Sequence, residues 1–116
     1  MVKFFLYLLA FAPLFATLTI AKNYIQINYF YDDACSDFAS SPPNVPLDFG
    51  VYNWEFPGTN SAGIANCEGY SNCWCWFHTG ANSTGTTALA EYPTGNFTTC
   101  ATGQFASFDC QIAPPS

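Results

Sequence analysis

Residues 72–78 read Asn72-Cys73-Trp74-Cys75-Trp76-Phe77-His78, and the two faces of this segment decide the fold class. In an extended chain alternate side chains point to opposite sides. Cys73, Cys75 and Phe77 therefore share one face, and Trp74, Trp76 and His78 the other. Thr79-Gly80 breaks the segment. Upstream, residues 24–31 (YIQINYFY) alternate in the same way, with Ile25, Ile27, Tyr29 and Tyr31 on one side and Gln26 and Asn28 on the other. That is the pattern of a half-buried strand. Asp32-Asp33-Ala34 then reads as a turn. The Pro-rich residues 40–46 (SSPPNVP) are barred from a helix interior or a central strand, because proline has no amide donor. β character resumes over residues 49–56 (FGVYNWEF) and ends at Pro57-Gly58. No stretch sustains a helical period, so the domain is expected to be nearly all β.

The charge balance narrows the function classes. The chain has two Lys, no Arg and eight acidic residues, a formal net charge of −6. A nucleic-acid surface needs clustered Lys or Arg, and a membrane-lytic helix needs a basic face. Neither is available. The first 21 residues have the layout of an export signal: Lys3, an apolar run over residues 4–15 interrupted only by Pro13, and Thr19-Ile20-Ala21 before the expected cut. The run is shorter than the roughly 20 apolar residues that span a bilayer, so no membrane association is expected after cleavage. Residues 22–112 are then a single domain, and residues 113–116 a frayed tail.

All six cysteines lie beyond the signal: Cys35, Cys67, Cys73, Cys75, Cys100 and Cys110. An even count in an exported chain of this size reads as disulfides. Each bridge contributes about 2–4 kcal/mol, against a net stability of about 5–15 kcal/mol for a whole domain. Cys73-Trp74-Cys75 lacks zinc-ligand spacing and His78 is the only imidazole, so no metal or other cofactor is expected. Cys73 and Cys75 should take different partners, since a bridge between them would be strained. The expected set is Cys35–Cys75, Cys67–Cys73 and Cys100–Cys110. Two sequons, Asn82-Ser83-Thr84 and Asn96-Phe97-Thr98, are expected to carry glycans in a eukaryotic secretory route.

Two stretches repeat. Residues 29–36 (YFYDDACS) align with residues 76–83 (WFHTGANS), and Ala65-Asn66-Cys67 aligns with Phe108-Asp109-Cys110. Two such units would pack as paired β-sheets, an arrangement that resembles the double Greek-key sandwich of βγ-crystallins. Asp32, Asp33 and Asp37 also approach the acidic, Ser-containing calcium motif of some proteins of that type. Calcium wants six to eight oxygens; the competing and preferred reading is an Asx-type turn with a solvated acidic face.

A second resemblance covers most of the chain beyond the signal. Residues 27–38 (INYFYDDACSDF), 54–67 (WEFPGTNSAGIANC), 73–85 (CWCWFHTGANSTG) and 100–110 (CATGQFASFDC) occur in the order seen in a family of fungal small secreted cysteine-rich, effector-like proteins, and Gly58 to Cys67 is the most specific piece. Relatives tend to carry one more Cys near Val51-Tyr52 and another within the segment matching Asn82 to Gly85. Both are absent from this chain. The resemblance implies an extracellular protein and no defined activity.

Catalytic parts are scarce. There is no Gly-x-Ser-x-Gly elbow, and His78 is expected at a strand end, partly exposed and structural. Trp74 and Trp76 share a strand face and are candidates for a sugar-stacking platform, weighed against core packing, the commoner fate of aromatics in small β-domains. The expectation is a monomeric, disulfide-stapled β-sandwich, noncatalytic and effector-like, binding a host or cell-wall component. The alternative is a carbohydrate-binding module using Trp74 and Trp76.

Overall fold

The structure, a computed structural model, describes residues 24–46, 50–68 and 72–112. The expected export signal over residues 1–21 and the tail at 113–116 lie outside the described residues. Among the described residues nine strands form two antiparallel sheets: β1 (Tyr24–Phe30), β2 (Phe38–Ser40), β3 (Val45–Pro46), β4 (Val51–Asn53), β5 (Ser61–Glu68), β6 (Cys73–His78), β7 (Thr87–Tyr92), β8 (Cys100–Thr102) and β9 (Ser107–Gln111). One sheet runs β2-β1-β5-β8, with the short β3 also pairing β1; the other runs β4-β9-β6-β7. This is the small, disulfide-stapled all-β sandwich expected from the sequence.

The strand order divides the chain into two equivalent units. In the first, β2, β1 and β5 are neighbours while β4 crosses to the other sheet; in the second, β7, β6 and β9 are neighbours while β8 crosses back. In each unit the fourth strand returns to lie beside the first, which makes a pair of interlocked Greek keys. The hydrogen bonds repeat with the strands. The Asn60 amide donates to the Phe30 carbonyl at 2.8 Å, as the Ala106 amide does to His78 at 2.8 Å. The Gly103 amide donates to Asn60 at 2.8 Å, as the Trp54 amide does to Ala106 at 3.0 Å.

These bonds correct the alignment of the repeat. Phe30 corresponds to His78 and Tyr29 to Phe77, one position away from the match of Tyr29 with Trp76. The difference decides which face is buried, because slipping a strand by one residue turns every side chain over. In the structural register Ile25, Ile27 and Tyr29 match Cys73, Cys75 and Phe77, and all six are fully buried. The alignment of Ala65-Asn66-Cys67 with Phe108-Asp109-Cys110 has no structural counterpart either. Cys67 lies opposite Ile25 and Cys110 opposite Cys75, and the bulge between Gln26 and Ile27 shifts the β5 register.

One serine closes each unit. Ser61 Oγ accepts from the Cys35 amide at 3.1 Å and donates to the Asp32 carbonyl at 2.7 Å. Ser107 Oγ accepts from the Ser83 amide at 3.0 Å and donates to the Gly80 carbonyl at 2.6 Å. Cys35 and Ser83 both hold left-handed backbone, φ 57° and 62°, so this conformation belongs to the shared turn. Both serines are buried. Ser61→Ala and Ser107→Ala should each lower stability by about 1–3 kcal/mol in urea unfolding, the cost of stranding buried backbone groups. A loss within error for both would show that the serines do not hold the turns.

The Gly58–Cys67 stretch is where most of these demands coincide. Gly58 has φ 85° in the turn that returns the Thr59 amide to the Phe56 carbonyl. Asn60 Nδ2 donates to the Tyr31 carbonyl at 2.8 Å. A Cβ on Gly63 would stand 2.7 Å from the Thr99 carbonyl, so the approach of residue 99 to β5 requires glycine there.

The core lies between the sheets, around Tyr29, Phe77, Phe105 and Phe108. Tyr31 departs from the expected alternation. It is 43% exposed, because the strand ends at Phe30 and the Tyr31 amide turns to bond the Asp37 carbonyl at 2.8 Å.

Two of the three expected disulfides are corrected. The bridges are Cys35–Cys100, Cys67–Cys73 and Cys75–Cys110, with no free cysteine. Cys75 takes Cys110 in place of Cys35, because Cys110 stands directly opposite it across β6 and β9 with Cα atoms 4.0 Å apart. Cys100 starts β8, which has crossed into the first sheet, and there it meets the β1–β2 turn that carries Cys35. Cys67–Cys73 joins the end of β5 to the start of β6 and so ties one unit to the next.

Candidate functional site

Whatever both halves share is scaffold, so a specific site is to be sought where they differ. The sharpest difference lies on the crossing strands. Tyr52 and Trp54 of the first unit occupy the places of Ala101 and Gly103 in the second, as the matched Trp54 and Gly103 amide bonds show. Tyr52 stands opposite Phe108 and stacks on it, ring centroids 6.0 Å apart and planes 24° apart.

Facing these rings is the Pro-rich strap. Its start is held by Ser41 Oγ, which donates to the Ile27 carbonyl at 2.6 Å. Its end is held by β3, where Val45 and Pro46 pair with Ile25 and Tyr24. Proline is tolerated here because β3 is an edge. Between the strap and the rings runs a groove of about 260 Å³, walled by residues 42–46 on one side and by Tyr52, Trp54 and Phe108 on the other. No charged side chain is among the described residues that line it. The Trp54 indole N–H is buried without a hydrogen-bond partner, a condition that costs about 1–3 kcal/mol. The sequence marked this strap as irregular and the 49–56 stretch as β, but held no signal that the two would face each other.

The sequence-predicted residues lie elsewhere. Trp74 and Trp76 do project from the outer face of β6, yet β6 is an interior strand. Trp74 sits between Glu91 and Gln111 and is 7% exposed; Trp76 sits between Leu89 and Asp109 and is half-buried. A pair of open rings for sugar stacking is therefore not present on this strand.

His78 ends β6 as expected, but it is 7% exposed and both ring nitrogens are engaged. Nε2 lies 2.6 Å from Asp109 Oδ1 and Nδ1 lies 3.1 Å from Thr87 Oγ1. Ser83 Oγ also donates to Asp109 Oδ1, at 3.3 Å. The four side chains make a cross-strand polar network.

Asp32 serves the β1–β2 turn. Its carboxylate accepts from the Ser36 hydroxyl, from the Ser36 amide at 3.1 Å and from the Asp37 amide at 3.1 Å. This is an Asx-type turn. Among the described residues no three His, Cys, Asp or Glu side chains gather as a metal set, so Asp32, Asp33 and Asp37 are not assembled as one. The Ser36 side chain first, and then the Asp37 amide, hold the Asp32 carboxyl below its ordinary 3.8. A depressed native value adds stability above the unfolded value, lost as pH falls through the native one. The stability difference between the wild type and Asp32→Ala should thus stay constant from neutral pH down to about that ordinary value. It should then shrink in stronger acid, as read by denaturant titration, and a difference independent of pH would show that the charge plays no part.

Inside the core, burial pushes the Tyr29 phenol well above its usual range, and the Glu55 carboxylate adds to the effect. Its hydroxyl is a neutral buried group without a partner. Both sequon asparagines are exposed. Asn82 exchanges two bonds with Asn53, accepting from Nδ2 at 2.9 Å and donating its amide to Oδ1 at 2.8 Å. Among the described residues no helix is long and apolar enough to cross a membrane. Comparison with family models, with curated proteins and with solved structures finds no match to this chain.

Proposed function

We propose that this chain is a secreted, noncatalytic binding protein of the fungal effector-like kind, which acts outside the producing cell by recognising a host or cell-wall component. The observation that carries the reading is the groove between the Pro-rich strap and the rings of Tyr52, Trp54 and Phe108, with no charged side chain among the described residues that line it. Its strap and its Tyr52 and Trp54 come from the first unit and its Phe108 from the second, and on the other crossing strand Ala101 and Gly103 hold the places of Tyr52 and Trp54. An apolar concavity with few polar groups is the usual form of a binding site. Three disulfides fit a protein that works in an oxidising, protease-rich fluid.

The test is cosedimentation with insoluble fungal and plant cell walls. The wild type and Trp76→Ala should be retained alike, and Trp54→Ala should be lost to the supernatant. Failure of the wild type to sediment with either wall, or equal retention of Trp54→Ala, overturns the reading. Retention that instead needs Trp76 would favour the carbohydrate-binding alternative at the β6 face.

A further inference from the structure

We propose that Asn82 and Asn96 both carry N-linked glycans, and that the two glycans guard the open edge of β7 against pairing with a second copy of this chain. The inference rests on the export part of the reading above and not on the groove. It adds two modification sites and their task.

The edge comes first. β7 ends the second sheet, with β6 on one side and no strand on the other among the described residues. At six residues it is twice as long as β2, β4 or β8, the other strands that end a sheet. Its register is unbroken from Cys73 opposite Tyr92 to His78 opposite Thr87. Alternate residues of an antiparallel pair turn their amides and carbonyls to the same side. The Glu91 amide leaves β6 to donate to the Thr98 carbonyl at 2.8 Å, so the backbone groups of Leu89 and Thr87 face that side too. The loop after β7 thus covers Glu91 and leaves Leu89 and Thr87 on the open edge.

Proteins blunt such an edge with shortness, bulges, proline or exposed charge. β7 has no bulge and no proline. Its single charged residue, Glu91, is 7% exposed, and its carboxylate accepts from the Phe97 amide at 3.0 Å. A two-fold pairing of β7 with its copy would join two four-stranded sheets into one. The acidity of the chain opposes this, but physiological salt screens exposed charges beyond about 8 Å.

The sequons bracket this strand. Asn82 lies in the turn that leads into β7 and Asn96 in the loop that leaves it, and both are exposed. Asn82 uses its Oδ1 and its backbone amide on Asn53. Its Nδ2, the atom that takes the sugar, makes no hydrogen bond among the described residues, so the Asn53 contact survives modification. The Asn96 side chain makes no hydrogen bond among the described residues either. In the modification, Nδ2 displaces a lipid diphosphate from the anomeric carbon of an oligosaccharide. A C–N bond forms, the C–O bond to the diphosphate breaks, and one amide proton is released. A bulky, hydrated glycan at each end of a strand about 20 Å long obstructs a second chain alongside it.

The experiment uses protein recovered from the medium of a eukaryotic host. Peptide mass mapping should find a glycan on both asparagines, and sedimentation velocity in physiological salt should show a monomer. Thr84→Ala with Thr98→Ala prevents attachment and keeps the Asn82 bonds to Asn53. Endoglycosidase trimming of the folded wild type to one sugar per site is the check that needs no substitution. Loss of the glycans should raise the mean mass about twofold or more. Adding Leu89→Lys should return the unglycosylated chain to the monomer, since lysine on an edge opposes pairing. Either asparagine bare in the secreted protein overturns the inference. So does a chain that stays monomeric in both glycan-depleted forms, or association that survives Leu89→Lys. Protein that never reaches the medium removes the export on which the inference rests. Bare asparagines on protein that walls still retain through Trp54 leave the binding reading standing.

Discussion

Replacing Cys35 and Cys100 together by Ser should cost this protein about 4 kcal/mol of stability, more than any other disulfide deletion. The bridge closes 65 residues. In the chain-entropy account the stabilisation grows with the logarithm of the loop, which gives about 4 kcal/mol for this bridge and about 2 kcal/mol for the six-residue Cys67–Cys73 loop. Against a domain stability of about 5–15 kcal/mol, the first loss is a large share. The same bridge fastens the β1–β2 turn of the first unit to a strand of the second, so its removal also loosens the crossing of β8. Urea unfolding of the two double-Ser variants compares them directly. Equal losses would show that constraint of the unfolded chain is not what these bridges contribute. Peptide mapping under nonreducing conditions checks the pairing itself, and a peptide joining Cys35 to Cys75 would refute the order of strands in the two sheets.

Phe77→Ala should be the most damaging single core substitution, at about 3–5 kcal/mol. Phe77 is fully buried, and its ring centroid lies 6.4 Å from that of Tyr29, 5.3 Å from Phe105 and 5.8 Å from Phe108. Tyr29 belongs to one sheet and Phe108 to the other, so one ring bridges both layers. Aromatic pairs of this kind add about 0.5–1.5 kcal/mol beyond burial, and the cavity left behind adds its own penalty. Phe97→Ala is the matching control. That ring is 41% exposed, and its loss should stay within about 0.5 kcal/mol. A thermal unfolding midpoint that falls as far for Phe97→Ala as for Phe77→Ala would show that the sandwich interior is not where the stability resides.

Much of the fold was legible because it follows from local rules. Ile25, Ile27 and Tyr29 alternate with polar neighbours, and Cys73, Cys75 and Phe77 share a face; both sets are inside. The duplication was also visible, but its register was not. Aromatic residues stand on both faces of β6, so Trp76 matched Tyr29 by residue type as well as Phe77 did. Only the hydrogen bonds of Asn60, Ala106 and the two serines identify the correct partner.

The sites were less legible for the same reason. Alternation placed Trp74 on an outer face, and how open a ring is there depends on the side chains beside it on the neighbouring strands, which lie far away in sequence. Trp74 is flanked by Glu91 and Gln111. Tyr52 and Trp54 carried no mark of their own in the sequence, since a groove belongs to two segments that meet and to neither alone.

The amino-acid sequence by itself determined that this protein is all β, where its turns fall, and that its sulfurs pair, because periodicity, turn chemistry and an even cysteine count act over a few residues at a time. Which cysteine meets which, which tryptophan is covered and where the groove lies were decided only when β4 and β8 exchanged sheets. That exchange sets residues 65 apart side by side, and contact across such a separation depends on the path of the whole chain.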